Sequence, residues 1–300
     1  MPEHPDTQSR WVAAVRAIRV HQWVKNLLLF VPVILDHQLF NGAAMAKAGI
    51  GFIAFCLAAS GGYILNDMLD LEADRRHATK RHRPFASGAL PPALGVALIP
   101  VLVIGALWLS WTRLPTRFVA ALALYLVLTT AYSTYLKRIA VLDVVLLAGL
   151  YTLRVLAGVA ASHVRFSTWL LAFSMFLFLS LAFVKRYAEI SGLEPQADEQ
   201  VRRRGYLRSD REWLGSMGSS SGYLSVLVLA LYINSDQVVA LYRFPLLLWL
   251  VCPLLLLWIG RMWLRAYRGQ IHEDPIVAAV QDPLSYLLGA LVGVIMYAAL

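Results

Sequence analysis

Cysteine and charge are what this 300-residue chain has least of. Its two cysteines, Cys56 and Cys252, both stand in apolar runs, which excludes a disulfide framework and a cysteine-based zinc site. Charged residues make up 15% of the sequence, against about 25% in a typical soluble domain. Hydrophobic residues reach 59% and the mean hydropathy is +0.62, so an ordinary soluble fold is excluded as well. Acids are scarcer than bases, 18 against 27. In a soluble chain that excess would suggest nucleic acid; here membrane topology explains it, and no nucleic-acid partner is expected. The sequence also lacks short repeats, a low-complexity linker and a catalytic dyad. No signal peptide is expected, because residues 1–21 are polar and mixed. His21, His77, His82 and His272 have no metal-ligand spacing and are read as interface or loop residues.

Long apolar runs are abundant. A helix that crosses a bilayer needs about 20 mostly apolar residues. Nine such stretches are read at roughly 24–41, 44–66, 91–111, 117–136, 141–160, 166–185, 215–234, 244–263 and 284–300. The expectation is an all-α membrane protein of nine transmembrane helices, with residues 1–21 as a cytoplasmic tail and 22–300 as a single domain. With the N-terminus inside, the great majority of the Lys and Arg fall in inside segments, and the outside connections are short and charge-poor. This asymmetry predicts a cytoplasmic N-terminus and an outside C-terminus. The two long loops, 67–90 and 186–214, then face the cytoplasm. The basic run from Arg202 to Arg211 suits anionic membrane lipids, at about 1 kcal/mol per base near the surface. Asp274 and Asp282 each precede a proline and read chiefly as turn residues.

The densest chemistry is the stretch NDMLDLEADRRHATKRHRP, which follows the second apolar run. At about 100° per residue, Asn66, Asp67, Asp70 and Asp74 share one stripe of a continued helix. Three carboxylates on one stripe repel each other and call for positive charge. A hard divalent cation, magnesium, fits an all-oxygen donor set. Lys80, Arg81 and Arg83 follow directly and suit phosphate oxygens. A salt-bridge network with Arg75, Arg76 and other loop bases is the alternative that needs no metal.

This acidic stretch resembles the first aspartate-rich motif, N-D-x-x-D-x-x-x-D, of the UbiA superfamily of intramembrane prenyltransferases. YSTYLKR, from Tyr132 to Arg138, and the number of apolar runs are similar too. The resemblance implies helices around a central cavity, a polar site on the cytoplasmic side and a lateral opening for a lipid chain. Isoprenyl-diphosphate users of the superfamily usually carry a second acidic motif after the sixth span; this chain has VKRYAEISGLE there. Together with HQWVKN and KRYAE, this departure resembles the decaprenyl-phosphate phosphoribosyltransferase branch. That branch implies a magnesium-dependent transferase in the bacterial inner membrane. It would move the 5-phosphoribosyl group from phosphoribosyl diphosphate to a polyprenyl phosphate, releasing diphosphate, in cell-envelope polysaccharide synthesis.

On that reading Asp67, Asp70 and Asp74, assisted by Asn66, hold magnesium on the donor's diphosphate. The lipid phosphate is already an anion, so no strong general base is required. Lys25 and Asn26, at the start of the first run, contact phosphate, or Lys25 snorkels to the interface. Tyr132 and Lys137 contact diphosphate or lipid phosphate. Lys185, Arg186, Tyr187 and Glu189 bind the ribose and its 5-phosphate. Arg154, within a span, contacts an anion or pairs with Asp143 through an intermediary. Tyr151 reads as helix packing. Polyprenol length and oligomeric state are left open, a homo-oligomer included. Two rivals stand beside this reading: a prenyltransferase acting on an aromatic quinone or haem precursor, and a cation or solute transporter.

Overall fold

The computed structural model describes residues 7–76, 79–165, 167–192, 205–271 and 274–300. His77, His272 and Arg202 to Arg204 lie outside the described residues. Among the described residues, the regular secondary structure is entirely helical. The chain divides into two compact units, 1–137 with 153–165 and 138–152 with 166–300.

The first unit opens with α1 (Thr7–Ala17), a 3-10 segment (Val20–Phe30) and α2 (Val31–Leu35). The axis bends by 43° between α1 and the 3-10 segment. Arg19 sits at the bend with φ 52°, a left-handed conformation that costs a non-glycine residue about 1–2 kcal/mol. The bend is fastened to the next helix: Ser60 Oγ donates to the Ile18 carbonyl at 2.8 Å and accepts from Trp23 Nε1 at 3.1 Å. A 3-10 run of eleven residues is unusual, since its strained hydrogen bonds normally limit it to 3–4 residues. The first expected span, 24–41, therefore begins as a 3-10 course to Phe30 and continues as α2, with the bend ahead of it. Pro32 stands in the first turn of α2, a position where proline is tolerated.

α3 (Gly42–Leu69) is the long rod of this unit. Asn41 caps it by accepting from the Ala43 and Ala44 amides. Its buried face is built of small residues, including Ala44, Ala48, Gly51, Ala54, Ala58 and Gly61. These let neighbouring backbones approach closely. A Cβ on Gly51 would meet the Phe118 ring at 2.9 Å, and one on Gly61 would meet Val103 at 3.1 Å. At 28 residues α3 is about 42 Å long, more than the ~30 Å of bilayer hydrocarbon. After α3 come α4 (Leu71–Arg76), a 3-10 turn (Lys80–His82), α5 (Pro92–Arg113), α6 (Thr116–Thr134) and a second 3-10 turn (Leu136–Arg138). α5 exposes Val101, Ile104, Trp108 and Trp111, an apolar face suited to lipid.

α7 (Leu142–Ser162) gives its first half, through Thr152, to the second unit and the rest to the first. The second unit continues with α8 (Thr168–Ser191), α9 (Arg211–Ile233), α10 (Asp236–Leu241), a 3-10 segment (Pro245–Leu250), α11 (Val251–Tyr267), α12 (Pro275–Val280) and α13 (Pro283–Ala299). Helices α8 and α9 pack closely because Gly218 and Gly222 present no side chain. Ser180 Oγ donates to the Gly218 carbonyl at 2.7 Å and accepts from Trp263 Nε1 at 3.0 Å.

Among the described residues, seven helices are long and apolar enough to cross a membrane: α3, α5, α6, α7, α8, Arg208–Ile233 and Pro245–Tyr267. The bent N-terminal pair makes an eighth if taken as one span. The ninth expected stretch is α13, which has only 17 residues.

Candidate active site

The polar end of α3 carries the acidic motif. The expected single stripe is interrupted, because the helix breaks at Asp70 and restarts as α4. The i→i−4 hydrogen bonds nevertheless run on, from the Asp70 amide to the Asn66 carbonyl and from the Asp74 amide to the Asp70 carbonyl. Asp74 enters the first turn of α4, where the helix dipole favours a carboxylate. The break and the surrounding bases divide the four groups into two pairs. Arg83 Nη1 donates to Asp67 Oδ1 at 3.1 Å and to Asp74 Oδ2 at 2.6 Å, so these two acids meet at one guanidinium nitrogen. Arg19 also donates to Asp67 Oδ1. Lys137 Nζ donates to both Asp70 oxygens, at 3.0 and 2.8 Å, and to Asn66 Oδ1 at 3.3 Å.

The loop bases therefore meet the acids directly. Arg75 and Arg76, expected as partners in the metal-free alternative, are exposed; Arg19, Arg83 and Lys137 take that place. Lys80 is half-buried. Arg81 is exposed, with its Nε 3.4 Å from His82 Nε2. Tyr132 is half-buried near the end of α6. As donors, three carboxylates and an amide oxygen suit a hard cation. Among the described residues no three such groups already converge as a preformed metal cage. The donor set fits magnesium once the bases move onto another partner.

A second polar group of the same unit is buried along the helices. Asn26 is almost wholly enclosed, and Lys25 is buried beside it in sequence. Asn26 Nδ2 donates to Cys56 Sγ at 3.3 Å, and Asn26 Oδ1 accepts from Arg154 Nε at 2.9 Å. Arg154 Nη2 donates to the Tyr125 hydroxyl at 3.0 Å, and its guanidinium lies 4.8 Å from the Tyr125 ring centre. Arg154 and Asp143 are expected to pair only through an intermediary, and their spacing along α7 accounts for that. Eleven positions along one α-helix separate them by about 16 Å, and each has nearer partners.

In the second unit Asp143 forms an ion pair with Arg186, both almost fully buried. Arg186 also pairs with Glu189 one turn on. The Tyr206 hydroxyl donates to Asp143 Oδ1 at 2.7 Å and accepts from the Val141 amide at 2.8 Å. Burial, and then the bond to Asp143, pushes the Tyr206 hydroxyl well above its ordinary range. Next to Tyr206, Gly205 has φ +70°, and a Cβ there would stand 2.6 Å from the Arg138 carbonyl oxygen. Tyr187 is buried too. Its hydroxyl accepts from Arg211 Nε at 2.9 Å, and its ring packs against Trp263 and Tyr267. Of the four residues expected to bind ribose phosphate, Arg186 and Tyr187 are thus enclosed by protein partners, whereas Lys185 and Glu189 keep part of their surface exposed.

Lys185 Nζ lies 3.2 Å from Asp274 Oδ2. Asp274 also accepts from the Tyr151 hydroxyl, at 3.0 and 2.9 Å, and caps α12 through the Ile276 amide. The turn reading of Asp274 holds, with two tertiary partners added. Asp282 precedes α13 and is held by Arg261 and Arg265. Its hydrogen bond to Arg261 keeps its carboxyl below the ordinary value of 3.8. Sequence reasoning missed the roles of Arg19 and Tyr206 and the tertiary contacts of Tyr151 and Asp274. Only Asp274 had a local signal, as an N-cap residue ahead of a proline.

Comparison with known proteins bears on this arrangement. The model of the UbiA prenyltransferase family matches residues 28–278. The chain is 37% identical to an uncharacterised protein, y4nM, of Sinorhizobium fredii, over 97% of the chain and 56% of that protein. It is 35% identical to nodulation protein NoeC of Azorhizobium caulinodans, over 93% of the chain and 91% of NoeC. It is 36% identical to decaprenyl-phosphate phosphoribosyltransferase of Mycolicibacterium smegmatis, over 59% of the chain and 56% of that enzyme. The chain thus spans little more than half the length of y4nM and of that enzyme. In fold it resembles a UbiA homolog from Archaeoglobus fulgidus solved with DMAPP and Mg2+. The TM-score is 0.71 at 14% identity, over 94% of this chain and 98% of that one.

Proposed function

Because this chain belongs to the UbiA prenyltransferase family, and is therefore an integral membrane protein of a transferase family, we propose that it transfers a 5-phosphoribosyl group from phosphoribosyl diphosphate to a polyprenyl phosphate. The 36% identity to decaprenyl-phosphate phosphoribosyltransferases over 59% of the chain supports the donor and acceptor. The observation that carries the choice of donor is charge. The end of α8 carries Lys185 and Arg186 where isoprenyl-diphosphate users of the superfamily usually carry a second acidic motif.

Asp67, Asp70, Asp74 and Asn66 would hold magnesium, which when bound supplies positive charge to the leaving diphosphate. Lys80, Arg81, Arg83 and Lys137 would contact its phosphate oxygens, and Tyr132 would add a hydroxyl. Lys25, Asn26 and Arg154 would contact phosphate along the helices of the first unit. In the second unit Lys185 and Glu189 would contact ribose and its 5-phosphate. Arg186 and Tyr187 would act there by holding the end of α8 in place. Attack by one oxygen of the lipid phosphate on ribose C1 forms the new C–O bond as the C1–diphosphate bond breaks. The nucleophile enters as an anion, so no side chain needs to remove a proton. We place the polar ends on the cytoplasmic side of a bacterial inner membrane, as the Lys and Arg distribution favours.

Purified protein offered magnesium, polyprenyl phosphate and either phosphoribosyl diphosphate or an isoprenyl diphosphate tests the assignment. The expected result is diphosphate release and a phosphoribosyl lipid, detected by mass, from the first donor alone. Consumption of the isoprenyl donor alone would overturn it in favour of prenyl transfer. Ion flux in liposomes without a covalent product would point to the transporter.

A further inference from the structure

We propose that the divalent metal and the diphosphate enter the acidic end of α3 as a coupled pair, because Arg19, Arg83 and Lys137 already neutralise Asp67, Asp70 and Asp74. The proposal rests on the reading that a metal–diphosphate group binds there, and it deepens that reading by assigning the bases a role before substrate arrives.

Each of the three carboxylates contacts a base, and each of the three bases contacts a carboxylate. The group is electroneutral as it stands. A divalent cation arriving alone must part Arg83 from Asp67 and Asp74, leaving two surplus positive charges beside tethered guanidinium groups. The Asp67 and Asp74 side chains are 3% and 5% exposed, so water screens that repulsion poorly. A diphosphate arriving alone finds bases already engaged and carboxylates close by. When both arrive, the carboxylates take the metal and the bases turn to phosphate oxygens. Every charge then exchanges one opposite partner for another. Arg83 and Lys137 keep 26% and 15% of their side-chain surface exposed, which gives their charged ends somewhere to turn. Arg83 is the pivot, because one of its nitrogens holds two of the acids.

Coupling of this kind is reciprocal and typically amounts to about 5–150-fold in affinity. It is measured by Mn2+ binding to the full chain in nanodiscs, read from the protein-bound electron-spin-resonance signal, with and without inorganic diphosphate. Diphosphate is expected to raise the affinity of the protein for Mn2+ at least about fivefold, and Mn2+ to do the same for diphosphate. Arg83→Gln leaves the cluster with one surplus negative charge. It should tighten Mn2+ binding alone and weaken diphosphate binding alone, each about fivefold or more. A merely structural Arg83 would lower both together. Arg83→Lys, which keeps the charge, should restore weak binding of Mn2+ alone. Wild-type protein that binds Mn2+ equally well with and without diphosphate overturns the proposal, as does a stably folded Arg83→Gln protein with weakened Mn2+ binding. Should Arg83→Gln fail to fold, the wild-type measurement still decides. Inorganic diphosphate is common to both candidate donors, so failure of phosphoribosyl transfer and failure of coupling are read separately.

Discussion

Asp70 and Asp74 differ in their surroundings, and that difference matters at the scale of single residues. Asp74 is buried against Arg83, whereas Asp70 is half-exposed against Lys137. Changing either to asparagine keeps its size and removes its charge. Asp70→Asn and Asp74→Asn are each expected to lower the transfer rate by about 10²-fold or more, the usual scale for losing one electrostatic contact at a reacting centre. The melting temperature of Asp70→Asn should stay close to that of the parent, since the group it loses is partly solvated. Lys185→Ala should raise the apparent KM for the sugar donor several-fold more than that for the lipid, which steady-state assays with each substrate varied would show. An equal effect on both would remove Lys185 from the donor site. The acids themselves were legible in the sequence, because Asn66, Asp67, Asp70 and Asp74 stand together in the chain. Of their partners, Arg83 was within reach as a loop base, but two were not legible: Arg19 lies 48 positions from Asp67, and Lys137 lies 67 from Asp70. Local spacing carries no information about such contacts.

Elements were legible where length and apolarity decide them. α3 and α5 to α8 fall close to the expected stretches, because about 20 apolar residues leave the backbone little alternative in a bilayer. The first stretch departed from expectation. Its polar residues Lys25 and Asn26 are buried, and a 3-10 course replaces the α-helix around them. No periodicity rule distinguishes the two forms over so short a run. Gly205 and Tyr206, shortly before α9, show the converse, positions fixed by tertiary contacts. Gly205 passes the Arg138 carbonyl with a left-handed backbone, and Tyr206 is tied to Asp143 and Val141. Gly205→Ala combines that backbone cost with a steric clash, and should destabilise the protein by about 1–3 kcal/mol, measured by thermal or denaturant unfolding. Tyr206→Phe leaves the buried Asp143 short of a donor and should cost a similar about 1–3 kcal/mol.

At the scale of the whole molecule, stability as a function of pH offers a check on the C-terminal helices. Arg261 holds the Asp282 carboxyl below its ordinary value. A depressed carboxyl stabilises the fold fully above its unfolded value, here 3.8, and that contribution is lost as pH falls through the lower folded value. Melting temperatures should therefore drop as the solution is acidified below about pH 4, and drop less steeply in Asp282→Asn. Equal slopes would mean that the Arg261 contact does not reach global stability. The division into two compact units was not visible in the sequence. No linker or change in composition marks it, and α7 runs through the boundary without interruption.

Arg19 leaves one further consequence. Glycine would occupy that bend without steric penalty, yet the chain places there one of its bulkiest side chains in a conformation that disfavours it by about 1–2 kcal/mol. The guanidinium reaches the Asp67 carboxylate and lies 5.2 Å from the Tyr63 ring centre. The kink and the acidic terminus thereby become a single mechanical linkage. Drawing Arg19 away from Asp67 would remove the ion pair that offsets the strain of its left-handed backbone.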